Sequence, residues 1–229
     1  SVAGFAQAAA ALAPTPGWRP ARSGAHAAGS APVLLPTPGP LDLNAAAGHV
    51  AASLPARACV TVGAGNYALY AHRHIAFKGL ASQLAPAVGA MGYGLPAAIA
   101  AKLHDRDAPV ICFAGDGCFQ MTMQEVATAV QHRLGIVILV FNNGLYGTIR
   151  LHQERAYPGR ALATTLVNPD FAQLAQSYGA FGHRVTTTEE FAPAYDAALA
   201  HAREHQLPAI LDLVYDADII LPDRTLSQM

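Results

Sequence analysis

Two stretches of the chain are apolar at almost every position. One reads PVICFA from Pro109 and the other GIVILVF from Gly135. Runs of this length without polar alternation predict strands buried on both faces of a sheet. Between them Met121, Val126, Ala129 and Val130 recur at helical spacing, so the segment predicts strand, helix, strand. Two strands joined by a helical crossover lie parallel in one sheet. Each run ends in a polar tripeptide, Gly115-Asp116-Gly117 and Asn142-Asn143-Gly144. That topology puts both tripeptides at the carboxyl edge of the sheet, where open α/β sheets bind ligands.

The same alternation of patterns runs along much of the chain. Leu41 to Leu54 predicts a helix, and Cys59 to Val62 a short strand ending in Gly63-Ala64-Gly65. A glycine-rich turn, Gly89 to Pro96, precedes the helical AAIAAKLH. GLYGTIRLHQERAYPGR has no regular apolar period and predicts a short helix and a loop. DFAQLAQSYG predicts a helix opened by Asp170 and closed by Gly179, AFGHRV a strand, and TTTEEFAPAYDAALAHAREH a helix with acidic residues first and basic residues last. LPAILDLVYD predicts the final strand. The strands read as apolar on both faces, so the expected fold class is α/β, a parallel sheet with helices on both faces. Pro14 to Pro40 is rich in Pro, Gly, Ala and Ser, so residues 1–40 are expected to be a linker or the tail of a preceding domain, and residues 41–229 the ordered domain.

Composition narrows the partners. The chain has 229 residues and a net charge of −1, with 13% charged residues and no basic run, which argues against nucleic acid or an anionic membrane as the main partner. Cys59, Cys112 and Cys118 show no paired spacing and read as reduced core thiols of a cytoplasmic protein. SVAGFAQAAAALAP has no basic n-region and is too short to span a bilayer.

The chemistry at the predicted edge follows from the residue types. Asp116 offers an anionic oxygen, Asn143 an amide oxygen and the loop after it backbone carbonyls. This sparse oxygen set suits Mg²⁺ when phosphate oxygens and water complete the shell. Gly117 and Cys118 open a helix, whose free N–H groups favour an anion. The two features together imply a diphosphate carried on a metal ion. Taken singly, Asp-Gly and Asn-Gly are ordinary turn dipeptides.

GDG followed by NN on two such strands resembles the diphosphate-binding domain of thiamine-diphosphate enzymes, and GAMGYGLPAAI and NNGLYG extend the likeness. The closest look is to the acetolactate synthase and 2-oxo acid decarboxylase branch. The resemblance implies thiamine diphosphate and Mg²⁺ as cofactors and a small 2-oxo acid as substrate. It implies Asp116, Asn143 and the Leu145 carbonyl as metal ligands. Ala64, Gly65, Asn66, Gly115, Gly117, Cys118, Tyr146 and Gly147 are then expected around the cofactor. The Gly89 carbonyl would accept from its 4′-amino group, and Met91 would prop its bent shape. Thr148, Ile149 and His152 match positions that line the substrate pocket in relatives, although a large aromatic residue is common where His152 stands.

The family's activating glutamate comes from a separate pyrimidine-binding domain, usually of a neighbouring subunit. The chain is therefore expected to be the C-terminal, cofactor-binding part of a homodimeric or larger enzyme, inactive alone. The alternative is a naturally separate subunit of a split 2-oxo acid decarboxylase. A third reading, a nicotinamide-dependent dehydrogenase, rests on Gly63, Gly65 and Ala68, which match GxGxxA after a strand. A dinucleotide site also needs an acidic residue about twenty positions on, and no Asp or Glu stands between Gly65 and His104.

Overall fold

The computed structural model describes residues 36–77, 79 and 82–228, so most of the expected linker at 1–40 lies outside the described residues. In chain order the elements are α1 (Leu43–Ser53), β1 (Cys59–Val62), α2 (Ala68–His74), β2 (Gln83–Leu84), α3 (Gly94–His104), β3 (Val110–Gly115), α4 (Asp116–Gln120), α5 (Val126–Gln131) and β4 (Val137–Asn142). There follow α6 (Gly147–Ala156), α7 (Phe171–Ser177), β5 (Phe181–Val185), α8 (Thr188–His205), β6 (Ala209–Val214), β7 (Ile219–Leu221) and β8 (Arg224–Thr225).

Six strands pair in the order β2-β1-β3-β4-β6-β5, and every pair among them is parallel. β3 and β4, the two apolar runs, sit at the centre, and all their residues are buried. Successive side chains point to opposite faces. Ile111 and Phe113 of β3 and Leu139 and Phe141 of β4 join a core with α1, α2 and α8. Val110, Cys112, Ile138 and Val140 join a second core with α3, α5 and α7. At about 1.5–3 kcal/mol for each large apolar side chain buried, these two strands anchor the sheet.

Helix ends follow the capping chemistry in the sequence. Asp42 accepts from the Asn44 N–H at 2.9 Å, and Asp170 accepts from the Gln173 N–H at 2.9 Å. Thr187 and Glu190 form a reciprocal capping box at the start of α8. At Gly182 a Cβ would collide with the Ala172 carbonyl, so glycine is what lets α7 lie close to β5.

Four expectations need correction. The crossover between β3 and β4 is not one helix: α4 stops, a 3₁₀ turn covers Met123–Glu125, and α5 resumes. Thr122 breaks it, with φ −140° and ψ 16°, and its hydroxyl donates to the Gly92 carbonyl at 2.9 Å. Met121 is consequently 49% exposed rather than part of the core. α6 is a full ten-residue helix. Its apolar period is weak because only Leu151 is buried, and an Arg150–Glu154 pair at 2.9 Å supports its polar face. β5 is not apolar on both faces, since only Val185 is buried along it and it lies at the sheet edge. β6 is not the final strand either, because the antiparallel hairpin β7–β8 follows it.

Phe141 stacks on Phe113, Tyr70 and Tyr67 with ring centroids 5.5, 5.6 and 5.8 Å away. Replacing it by alanine should cost about 3–5 kcal/mol in denaturant-induced unfolding. A loss below about 1 kcal/mol, the size of a minor core change, would contradict this packing.

Candidate functional site

The loops after β1, β3 and β4 line an open cleft at the carboxyl edge of the sheet. Parallel register puts them side by side, because Val62 pairs with Phe113 and Gly115 pairs with Phe141. The β1 loop contributes Ala64, Gly65 and Asn66, and the β3 end contributes Gly115, Asp116, Gly117 and Cys118. The β4 end contributes Asn143, Leu145, Tyr146, Gly147, Thr148 and Ile149, and Met91 reaches in from the loop before α3. Gly89 and His152 are not part of the cleft wall. Gly89 is exposed with φ +67°, and His152 is exposed on α6.

Asp116 is buried in the cleft wall, at 3% exposure. Its Oδ1 accepts from the Gly117 N–H at 2.8 Å. Its Oδ2 accepts from the Gly144 N–H at 2.8 Å and from Asn168 Nδ2 at 2.7 Å. Burial pushes its pKa above the usual carboxylate value, while Asn168 and the N–H groups of Gly117, Gly144 and Leu145 pull the other way. With the Leu145 N–H bonded to Asn143 Oδ1 rather than to Asp116, these three hydrogen bonds leave acceptor capacity on a carboxylate that has about four lone-pair sites. Asn143 Oδ1 accepts from the Leu145 N–H at 3.2 Å, which curls the loop back. The loop is pinned by the Leu166 N–H donating to Gly144 O and the Tyr146 N–H donating to Thr164 O, both at 2.8 Å.

Glycine at 117 is required by close approach, since a Cβ there would meet the Tyr146 ring. The β1 loop is tied to α6 by the Asn66 N–H, which donates to Thr148 Oγ1 at 3.0 Å. In the same cleft the buried Asn66 Nδ2 and Tyr70 Oη have no hydrogen-bond partner among the described residues. A buried donor left unpaired costs about 1–3 kcal/mol, and a polar ligand in the cleft would relieve that cost.

Sequence reasoning missed two features. The first is an aromatic floor of Tyr67, Tyr70, Phe141 and Tyr215, whose tyrosine hydroxyls burial holds strongly toward the neutral form. Tyr67 and Tyr70 fall at helical spacing after the β1 loop, and that period was the available signal. The second is Asn168, which reads in sequence only as the residue before Pro169 and a helix cap.

The dinucleotide reading loses its footing here. The β1 loop is packed by the Tyr67 ring, which a Cβ on Gly65 would approach to 2.6 Å. β1 is followed by α2 and the two-residue β2, with no acidic residue at its end.

This arrangement defines the class: an open parallel α/β protein with a polar cleft at the carboxyl edge of its central strands. The pattern of the family described as "Thiamine pyrophosphate enzyme, C-terminal TPP binding domain" matches residues 63–213, and the chain belongs to that family. It is similar to the acetolactate synthase large subunit of Cyanidium caldarium, 45% identical over 105 residues, covering 45% of this chain and 18% of that protein. The acetolactate synthase large subunit of Corynebacterium glutamicum is 37% identical over 163 residues, covering 68% of this chain and 25% of that protein. Among solved structures, a thiamine diphosphate-dependent 4-hydroxybenzoylformate decarboxylase from Rhodococcus jostii RHA1 superposes with a TM-score of 0.73. It is 28% identical, over 82% of this chain and 35% of that one. The chain thus spans about a fifth to a third of the length of these relatives.

All three cysteines are free and buried. Burial pushes the Cys112 thiol up to about 12 and raises Cys59, so the reactive thiolate is scarce at neutral pH. Maleimide at pH 8 should leave Cys59 and Cys112 unmodified in the native protein and label both after unfolding, read by mass spectrometry. Rapid native labelling of Cys112 would contradict the burial.

Proposed function

We propose that this domain holds the diphosphate end of thiamine diphosphate through Mg²⁺ in an enzyme that converts a small 2-oxo acid. The observation that carries the proposal is the buried Asp116 carboxylate in one cleft with Asn143 and Leu145. The donor set fits the cation. Among the described residues no group of three or more His, Cys, Asp or Glu is placed to hold a metal. One carboxylate, one amide oxygen and one carbonyl suit Mg²⁺ shared with phosphate oxygens. The unpaired Asn66 Nδ2 fits an anionic ligand in the same cleft.

In this reading Asp116, Asn143 Oδ1 and the Leu145 carbonyl hold the metal. Cys118 offers its N–H to the diphosphate beside Gly117, whose own N–H is bonded to Asp116 Oδ1, and Ala64, Gly65, Asn66, Gly115, Tyr146 and Gly147 close around it. Met91 supports the bent cofactor, and Gly89, outside the cleft wall, offers its carbonyl to the pyrimidine once the partner domain has closed the site. When bound, thiamine diphosphate supplies the electron sink for cleaving the bond beside a 2-oxo acid carbonyl. The chain's own part is to bind, orient and exclude water, with Thr148 and Ile149 on the substrate side.

The cleft is open, and Ile149 in its wall is an apolar side chain left 48% exposed. Exposed apolar surface beside a site favours burial against a partner, here a pyrimidine-binding domain carrying the activating glutamate, in a homodimer or larger assembly. Asp116 is the one carboxylate in the cleft wall. Glu125 accepts from the Thr128 hydroxyl at 2.7 Å, a local structural role. The free, buried cysteines are consistent with a cytoplasmic setting. Among the described residues no helix is long and apolar enough to cross a membrane.

Calorimetric titration with thiamine diphosphate should show binding that requires Mg²⁺, and Asp116→Ala should abolish it, because the cation loses its anionic protein ligand. Undiminished binding by that variant would remove the metal assignment. The chain alone should not decarboxylate pyruvate, and adding the pyrimidine-binding domain should restore turnover of a 2-oxo acid. Turnover by the chain alone would contradict the divided site.

A further inference from the structure

Behind Asp116 a chain of side-chain hydrogen bonds runs through the sheet to its edge. Asn168 Nδ2 donates to Asp116 Oδ2 and to Asn142 Oδ1, both at 2.7 Å. Asn168 Oδ1 accepts from Gln120 Nε2 at 2.8 Å. Asn142 Nδ2 donates to Asp212 Oδ1 at 2.8 Å. Asp212 is 0% exposed in mid-strand β6, and its Oδ2 accepts from Arg184 on β5 at 3.0 Å.

The polarity of this chain is determined from one end to the other. An ionised carboxylate only accepts, so Asp212 turns the Asn142 amino group toward itself. The Asn142 carbonyl then faces Asn168 and takes one of its two N–H groups. The other N–H goes to Asp116, and Gln120 occupies the Asn168 carbonyl. Turning over any one amide would set donor against donor or acceptor against acceptor, at about 1–3 kcal/mol for each buried group left unpaired.

We propose that Asn168 is a positioning residue that selects which oxygen of Asp116 faces the cation. Asn168 and the Gly144 N–H load Oδ2, while Oδ1 takes only the Gly117 N–H. Oδ1 is the oxygen left free for metal. Asn142, Asp212 and Arg184 keep Asn168 in the orientation that does this. The inference rests on the cation-dependent cofactor binding proposed above and adds a residue that is not itself a ligand.

A structural role alone would weaken binding with any cation equally. A positioning role depends on the ion, because Mg²⁺ demands near-ideal octahedral geometry whereas the larger Ca²⁺ tolerates a misaimed carboxylate. Asn168 is half-buried on the loop before α7, which favours variants that still fold. In the full-length protein, the dissociation constant of thiamine diphosphate is measured with MgCl₂ and with CaCl₂, for the unsubstituted chain, Asn168→Ala and Gln120→Ala. Removing an outer partner of a metal ligand typically costs about 10- to 100-fold in affinity. That loss is expected for Asn168→Ala with Mg²⁺, with a clearly smaller loss with Ca²⁺ and a lesser shift of the same sign for Gln120→Ala. An unchanged constant with Mg²⁺, or equal losses with both ions, overturns the assignment. Thermal melting is followed in parallel, and if Asn168→Ala fails to fold, Gln120→Ala decides by the same ion dependence. If the unsubstituted protein binds thiamine diphosphate with neither ion, the proposed function itself fails and the assignment with it.

Discussion

A carboxylate buried at the end of an apolar strand is the constraint on which the carboxyl edge of this sheet depends. Asp116 is 3% exposed, and a charge removed from water is costly unless donors or a cation replace the water. The loops around it are shaped by that demand. Gly144 adopts φ +69°, a left-handed conformation that favours glycine, and its N–H reaches Asp116. Gly117 supplies a second N–H, and Asn168 crosses from a loop more than fifty positions away to supply the third donor.

The sheet converts this local demand into a fixed geometry. β3 and β4 are buried on both faces, so their ends cannot slip without moving residues between two filled cores. Their register sets Gly115 beside Phe141 and thereby Asp116 beside the Asn142–Asn143 turn. One layer deeper, Asn142 and Asp212 share a hydrogen bond across β4 and β6, which couples the site to the far edge of the sheet. The aromatic floor does similar work by packing. Phe141 lies among Tyr67, Tyr70 and Phe113, so the bottom of the cleft moves only if the core does.

The parts legible in the sequence were those governed by local pattern. Cys59–Val62, the two central runs and the cap at Asp170 are fixed by apolar continuity and by short-range hydrogen bonds, and they appear where the pattern puts them. Most of the expected site residues gather in one cleft because they follow strands that turn out to be neighbours. What the sequence concealed depends on distant partners. Thr122 interrupts the crossover by reaching a carbonyl thirty positions earlier. α6 has only one buried residue, so its face carries little periodicity. β7 covers three residues, too few to show alternation. Asn168 acquires meaning only when β3, β4 and its own loop converge, and His152, which matches a pocket position in relatives, stands exposed on α6.

The most direct test of the account is diffraction from the protein crystallised with thiamine diphosphate and Mn²⁺ in place of Mg²⁺, with the metal located by its anomalous signal. The account predicts one ion held by Asp116 Oδ1, Asn143 Oδ1 and the Leu145 carbonyl, bridging to the diphosphate in the cleft above Tyr67 and Phe141. An ion bound elsewhere, or a diphosphate bound in the cleft with Asp116 outside the metal's coordination shell, would contradict it.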